Sequence, residues 1–183
     1  MYLMDTMAPV QRQGNIVLTG FMGTGKTTTG RLLAKLLDLE FVDADELLAA
    51  RHGPIPQIFA THGEKGFRSR ETAVAVELSQ RQGLIISTGG GMMVNPVNVH
   101  ALASTGQIIS LIASVDEIYR RVVSSIRRRE RPLLAVPDPK AKIAELYAER
   151  EAVYRQFPHI DTDGKAPEIV AKELAKLIQD HRE

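Results

Sequence analysis

The chain has no cysteine among its 183 residues, which excludes disulfide cross-links and thiol chemistry and fits a reducing compartment, the cytoplasm. It also lacks an excess of charge of either sign. Lys and Arg number 23 against 22 Asp and Glu, a formal net charge of +1, whereas a dedicated nucleic-acid binder carries a basic surplus. No apolar run approaches the roughly 18 residues of a membrane span, so neither nucleic acid nor membrane is an expected partner. Residues 1–14 show neither the apolar stretch nor the small-residue cleavage site of a secretory signal. They read as a loose N-terminal extension. Residues 15–183 read as a single domain, long enough for one proper core and short for two.

Against these absences stands one informative stretch, Gly20-Phe21-Met22-Gly23-Thr24-Gly25-Lys26-Thr27-Thr28. It fits G-x-x-x-x-G-K-[ST], the phosphate-binding P-loop. Glycines let the backbone take positive φ and turn successive N–H groups inward at an anion. Lys26 supplies a charge for the outer phosphates, and the Thr27 hydroxyl is placed to ligate the Mg²⁺ that accompanies them. The required context is present. Ile16-Val17-Leu18 reads as a buried strand entering the loop, and Leu32, Leu33, Leu36 and Leu37 recur at helical spacing after it. The helix directs the positive end of its dipole at the same phosphates. Gly23, Thr24, Gly25, Lys26, Thr27 and Thr28 are therefore candidate nucleotide-binding residues.

From Ile16 onward strand-like and helix-like segments alternate, the pattern of an α/β domain with a parallel sheet. Residues 39–42 form the expected second strand, ending in Asp43-Ala44-Asp45, and 46–51 begin a helix stopped by Gly53-Pro54. A short helix over 56–61 and a longer one over 64–82 follow. Leu84-Ile85-Ile86-Ser87 reads as a strand running into Gly89-Gly90-Gly91. A helix near 97–103, a strand over 107–112 and a helix opened by the capping box Ser114-x-x-Glu117 come next. Residues 124–139 differ in kind: they are rich in arginine, and Pro132, Pro137 and Pro139 prevent one continuous helix. A helix over 140–154, a strand over 159–162 and a helix over 168–179 complete the reading.

Taken together, Gly20–Thr28, Phe41-Val42-Asp43-Ala44-Asp45, Gly63-Glu64-x-x-Phe67-Arg68-x-x-Glu71, Gly89-Gly90-Gly91, Arg131-Pro132-Leu133-Leu134 and Glu149-Arg150 resemble the shikimate kinase family in order and spacing. The resemblance covers about residues 15–180. It implies a three-layer P-loop NTPase fold, a five-stranded parallel sheet in the order 2-3-1-4-5 flanked by helices, with a mobile lid over about 124–139. It implies ATP-dependent phosphorylation of the shikimate 3-hydroxyl, in the pathway to chorismate and the aromatic amino acids, by a cytoplasmic monomer. By the same resemblance Asp45 contacts the substrate hydroxyl and receives its proton. Asp43 orients a water on the Mg²⁺ ligated directly by Thr27. Arg68 and Arg150 hold the substrate carboxylate beside Gly89, Gly90 and Gly91, and Arg131 closes over the ATP phosphates as a catalytic charge. The chemistry is consistent: phosphoryl transfer rests on positioning and charge stabilisation, and ligands of open α/β sheets lie beyond the carboxyl ends of the strands.

Blander readings compete for several of these residues. Asp43 and Asp45 have a minor alternative as caps of the following helix, Arg68 and Arg150 as surface helix residues, and Arg127 to Arg129 read mostly as a solvated face. Ser124 stands where many family members carry an arginine packed on adenine, and Arg127 is a substitute candidate. Lys165, before Pro167, falls at the family's other base-contacting position. Ala152-Val153-Tyr154 replaces the proline-containing run usual after Glu149-Arg150. Asp161-Thr162-Asp163-Gly164 fits the D-x-x-G of GTPases, but it follows the last strand and no N-K-x-D accompanies it, so it reads as a turn. Two alternatives to a shikimate kinase remain, a kinase of gluconate or another polyol and a non-catalytic nucleotide-binding module.

Overall fold

The structure is a computed structural model that describes residues 14–124 and 136–180. Arg131, Arg127 and most of the expected lid lie outside the described residues. Five strands, β1 (Asn15–Thr19), β2 (Glu40–Asp43), β3 (Leu84–Ser87), β4 (Gly106–Ile112) and β5 (His159–Asp161), form one sheet in the order β2-β3-β1-β4-β5. Every pairing is parallel. The helices are α1 (Lys26–Leu37), α2 (Ala44–His52), α3 (Ile55–Ser79), α4 (Pro96–Ala103), α5 (Val115–Ser124), α6 (Pro139–Arg155) and α7 (Pro167–Asp180). No helix among the described residues is long and apolar enough to cross a membrane.

Alternation along β1 sorts the core into two layers, because successive strand side chains point to opposite faces. Ile16 and Leu18 join Ile85, Ile109 and Leu111 beneath α1 and α7, where Leu33, Ala34, Leu174 and Ile178 are buried. Val17 joins Ile86 and Ile108 on the other face, packed by Leu48 of α2, Ile58, Phe67 and Val74 of α3, and Leu102 of α4. Each such side chain stabilises the fold by about 1.5–3 kcal/mol when fully buried. A third cluster sits past the carboxyl end of β4, where α5 and α6 enclose Phe21 of the P-loop with Ile112, Ile118, Val122, Ile143 and Tyr154. The phosphate loop is thus fastened to the core through its own second residue.

Most departures from the expected element boundaries have local causes. Helix α2 starts at Ala44 rather than Glu46, because the Asp43 carboxylate accepts from the N–H groups of Asp45 and Glu46 and caps the helix two residues earlier. The helices expected before and after residue 63 run on as α3, broken only at Gly63. There φ is 66° and ψ −177°, a combination essentially restricted to glycine. The Ser114 capping box is half formed. Ser114 Oγ accepts from Glu117 N at 3.2 Å, but Ser114 N donates to Asp163 at 2.9 Å and Glu117 turns its carboxylate to Arg120 and Arg121. A 3₁₀ turn at Met92–Val94, directly after the triple glycine, was not foreseen from the sequence.

Candidate active site

The P-loop leaves β1 through Gly20, whose φ of 135° and close approach to β4 leave no room for a side chain: a Cβ there would lie 2.2 Å from the carbonyl of Leu111. Gly25, at φ 92°, forms the N-cap of α1 without any side-chain cap, and no acidic residue occupies the first turn. The first turn of α1, with the positive end of its dipole, therefore suits an anion. Lys26 is buried, and its ammonium donates to the carbonyls of Gly20 at 2.8 Å and Phe21 at 2.9 Å. The lysine charge is thereby held over the loop. Thr24 donates its hydroxyl to Phe21 O at 2.8 Å, so its side chain shapes the loop from within.

Thr27 and the β2 end meet beside this loop. The Thr27 hydroxyl donates to Asp43 Oδ2 at 2.7 Å, while Asp43 Oδ1 caps α2. Since a hydroxyl has one hydrogen and two lone pairs, this bond leaves the Thr27 oxygen able to ligate a cation. A hydroxyl with a neighbouring carboxylate suits Mg²⁺, which takes few protein ligands and keeps waters. Asp45, two residues beyond the cap, points into the cleft. Burial lifts its pKa to about 6, the nearby Asp43 carboxylate adds to the rise, and Lys26 and Arg68 pull in the opposite direction. A carboxylate poised near neutrality between two cations is suited to accept a proton.

Beyond Asp45 the cleft is lined by charges held in one arrangement. Arg68 donates to Glu71 at 2.6 Å and to Glu64 at 3.2 Å. Burial alone would lower the arginine's pKa, but these two carboxylates outweigh it and raise it. Glu71 is 1% exposed; burial raises its pKa, and Arg68 and Arg150 draw it back. The guanidinium has five donors, so two bonds to glutamates still leave donors for a ligand carboxylate. Two of the three glycines stand in crowded places, whereas a Cβ at Gly90 would come no nearer than 3.4 Å to its neighbours. A Cβ at Gly89 would lie 2.5 Å from Asp45 Oδ1, and one at Gly91 would lie 2.8 Å from Arg68 Nη1. Tyr154 is 1% exposed and donates its hydroxyl to the Gly90 carbonyl. Burial pushes the Tyr154 pKa up to about 12, with Arg150 moderating the rise. Ile55, Phe59 and Phe67 supply an apolar wall at this end, with the Phe59 and Phe67 rings 4.5 Å apart.

At the opposite end the lining comes from α5 and the segment after β5, including Arg120, Arg121, Gly164 and Lys165. Lys165 pairs with Glu173 at 2.8 Å. Ser124 turns its hydroxyl back to the Arg121 carbonyl at 3.1 Å. The cleft encloses about 1320 Å³, above the roughly 300–1,000 Å³ of a site for one drug-sized ligand, which leaves room for two ligands side by side. It brings together Gly23 to Thr28, Asp43, Asp45, Arg68, Gly89 to Gly91, Arg150 and Lys165; Arg131 lies outside the described residues. Sequence reasoning gave no role to Glu71, Tyr154, Arg121 or the Phe59 wall. Glu71 was signalled by its place three residues after Arg68, one helical turn on. The Tyr154 contact spans 64 positions and had no local signal.

Comparison with known proteins agrees with this geometry. The family model described as "Shikimate kinase" matches residues 22–179. A shikimate kinase of Hahella chejuensis is 45% identical over 177 residues, covering 95% of this chain and 91% of that one. Another, from Nitrosospira multiformis, is 42% identical, covering 90% of this chain and 85% of that one. Among solved structures, the shikimate kinase of Acinetobacter baumannii in complex with shikimate superposes with a TM-score of 0.86 at 38% identity, covering 92% of this chain and 94% of that one.

Proposed function

The chain belongs to the shikimate kinase family, and from that premise we propose that its cleft transfers the γ-phosphoryl group of ATP to the 3-hydroxyl of shikimate, giving ADP and shikimate 3-phosphate. One observation carries the assignment of roles: Asp45 lines the same cleft as Lys26 of the phosphate loop and Arg68, with its carboxylate against Gly89. The triphosphate occupies the nest of Gly23 to Thr28, with Lys26 swinging from the loop carbonyls onto the outer phosphates. Arg68 and Arg150 receive the shikimate carboxylate in planar, charge-assisted hydrogen bonds. Gly89, Gly90 and Gly91 admit the ring to close backbone approach, and the Phe59–Phe67 wall takes its apolar face.

In the reaction, Asp45 accepts the proton of the 3-hydroxyl as that oxygen bonds to the γ-phosphorus and the bond to the β-phosphate oxygen breaks. Thr27 would hold Mg²⁺ directly and Asp43, bonded to the Thr27 hydroxyl, would orient one of its waters; the metal would supply positive charge to the phosphates. Arg131 adds a positive charge to the equatorial oxygens of the transferring group and closes the cleft to water. Lys165 contacts the base through its stem. The family likeness supports a cytoplasmic monomer on the route to chorismate and the aromatic amino acids.

A coupled ADP-release assay with shikimate, quinate and gluconate tests the reading. Shikimate should be turned over far faster than the other two. Equal turnover of gluconate, an open-chain acid that also carries a carboxylate, would show that the site does not select the shikimate ring.

A further inference from the structure

One arginine at the nucleotide end is bonded to more of the cleft than the reaction requires. Arg121, near the end of α5, donates through Nη1 to the carbonyl of Gly23 at 3.3 Å and to Thr162 Oγ1 at 2.9 Å. Its Nη2 donates to the Thr162 carbonyl at 2.6 Å, and its Nε to Glu117 at 2.7 Å. A single guanidinium therefore joins the phosphate loop, α5 and the segment that follows β5. Its side chain is 21% exposed, so these bonds are largely shielded from competing water. Thr162 is a fixed anchor, donating its N–H and its hydroxyl to the Ile112 carbonyl at 2.9 and 3.0 Å. The Thr162 carbonyl also accepts from Lys165 N at 3.2 Å, closing the turn that carries Gly164 and Lys165 into the cleft.

The phosphate loop and this turn lie far apart in sequence, so non-covalent contacts set the gap between them. Arg121 bonds both sides of the gap at once. We propose that Arg121 is a positioning residue for the nucleotide: it fixes the spacing between the phosphate loop and residues 162–165, so that a nucleoside attached to the bound phosphates fits between α5 and that turn. The inference rests on the assignment of this end of the cleft to the nucleotide. It also explains how α5 serves a nucleotide with only the short side chain of Ser124 in its last turn, hydrogen-bonded back to the helix: the support comes from beneath the turn, through Arg121.

The test compares ADP with pyrophosphate, which needs the phosphate loop alone. Dissociation constants are measured on the full chain for wild type, Arg121→Met, Arg121→Lys and, as a control away from the cleft, Arg51→Met, whose arginine pairs with Glu77. Arg121→Met should weaken ADP by about tenfold, the equivalent of one charge-assisted hydrogen bond, and pyrophosphate by less than about twofold. KM for ATP should rise with KM for shikimate unchanged, Arg121→Lys should recover part of the loss, and Arg51→Met should alter neither ligand. Equal weakening of ADP and pyrophosphate, or no weakening of either, would overturn the proposal. If Arg121→Met melts too low to assay, Arg121→Lys carries the same ratio test. A wild-type protein that binds ADP yet does not phosphorylate shikimate would sink the proposed reaction while leaving the ADP-to-pyrophosphate comparison intact.

Discussion

The two ends of the cleft are built on different terms. At the acceptor end, Asp45, Arg68, Glu71, Gly89 and Gly91 are so closely fitted that added Cβ atoms on the glycines would touch the charged groups, and Glu71 is almost wholly buried. At the nucleotide end the charges pair among themselves, Glu117 with Arg120 and Arg121 and Lys165 with Glu173; Glu117 and Arg121 are shielded, while Arg120, Lys165 and Glu173 stand more open to water. There it is backbone carbonyls, those of Gly23 and Thr162, that give the wall its shape. A buried charge set resists rearrangement because any lost partner leaves an uncompensated ion. Open pairs such as Lys165–Glu173 are worth about 0–1 kcal/mol each and shift readily, whereas the shielded Arg121 is held by its bonds to Gly23 and Thr162. On the proposed reading, the acceptor end is set for one small rigid anion and the nucleotide end for a ligand held chiefly through its phosphates.

The largest break in this contrast comes from Asp45→Asn. It should reduce kcat by about 10³-fold or more, removing both the proton acceptor and its charge, while ADP binds as before; near-normal turnover would take Asp45 out of the mechanism. The same variant should melt a few degrees higher at pH 7. The sign follows from linkage. A carboxyl whose folded pKa is raised to about 6 from 3.8 loses stability as pH rises through that window, and the penalty is in full force at neutral pH. An unchanged or lower melting temperature would argue against the buried charge as its source.

Arg68→Ala ranks next. It should raise KM for shikimate by about 10²-fold with KM for ATP nearly unchanged, and the reverse pattern would move Arg68 to the nucleotide side. Glu71→Gln keeps the shape and removes the charge that orients Arg68. It should raise KM for shikimate by about tenfold, measured in the same titration. A smaller effect is expected on the pH profile: kcat/KM for shikimate should fall below a midpoint near 6 as Asp45 becomes protonated, and Asp45→Asn should abolish that limb. A profile flat down to pH 5 would contradict the assignment. Smallest of all, Arg51→Ala on the outer surface should leave every kinetic constant alone and change stability by less than about 1 kcal/mol.

The fold was legible because its signals are local. The apolar run at Ile16 to Leu18, the glycines and Lys26, and the strand running into Gly89 each declare themselves within a few residues, and their order constrains the sheet. The strand order itself came from family resemblance. At the start of α2 a side chain acts on the backbone at short range: the Asp43 carboxylate caps the helix and so begins it at Ala44. The parts that were not legible are those whose meaning depends on distant partners. Tyr154 and the Gly90 carbonyl, or Arg121 with both Gly23 and Thr162, are ordinary residues until the sheet places them together. The Asp161-Thr162-Asp163-Gly164 run illustrates this. It is a turn, as its position after the last strand implied, yet its threonine anchors the nucleotide end.

The most direct test of the whole account is a crystal structure of the protein with shikimate, ADP and Mg²⁺ bound together. It should show the shikimate carboxylate on Arg68 and Arg150 and the 3-hydroxyl within about 3 Å of the Asp45 carboxylate, on the side facing the β-phosphate of ADP. Shikimate bound with its carboxylate away from both arginines, or with its 3-hydroxyl turned from Asp45, would contradict it.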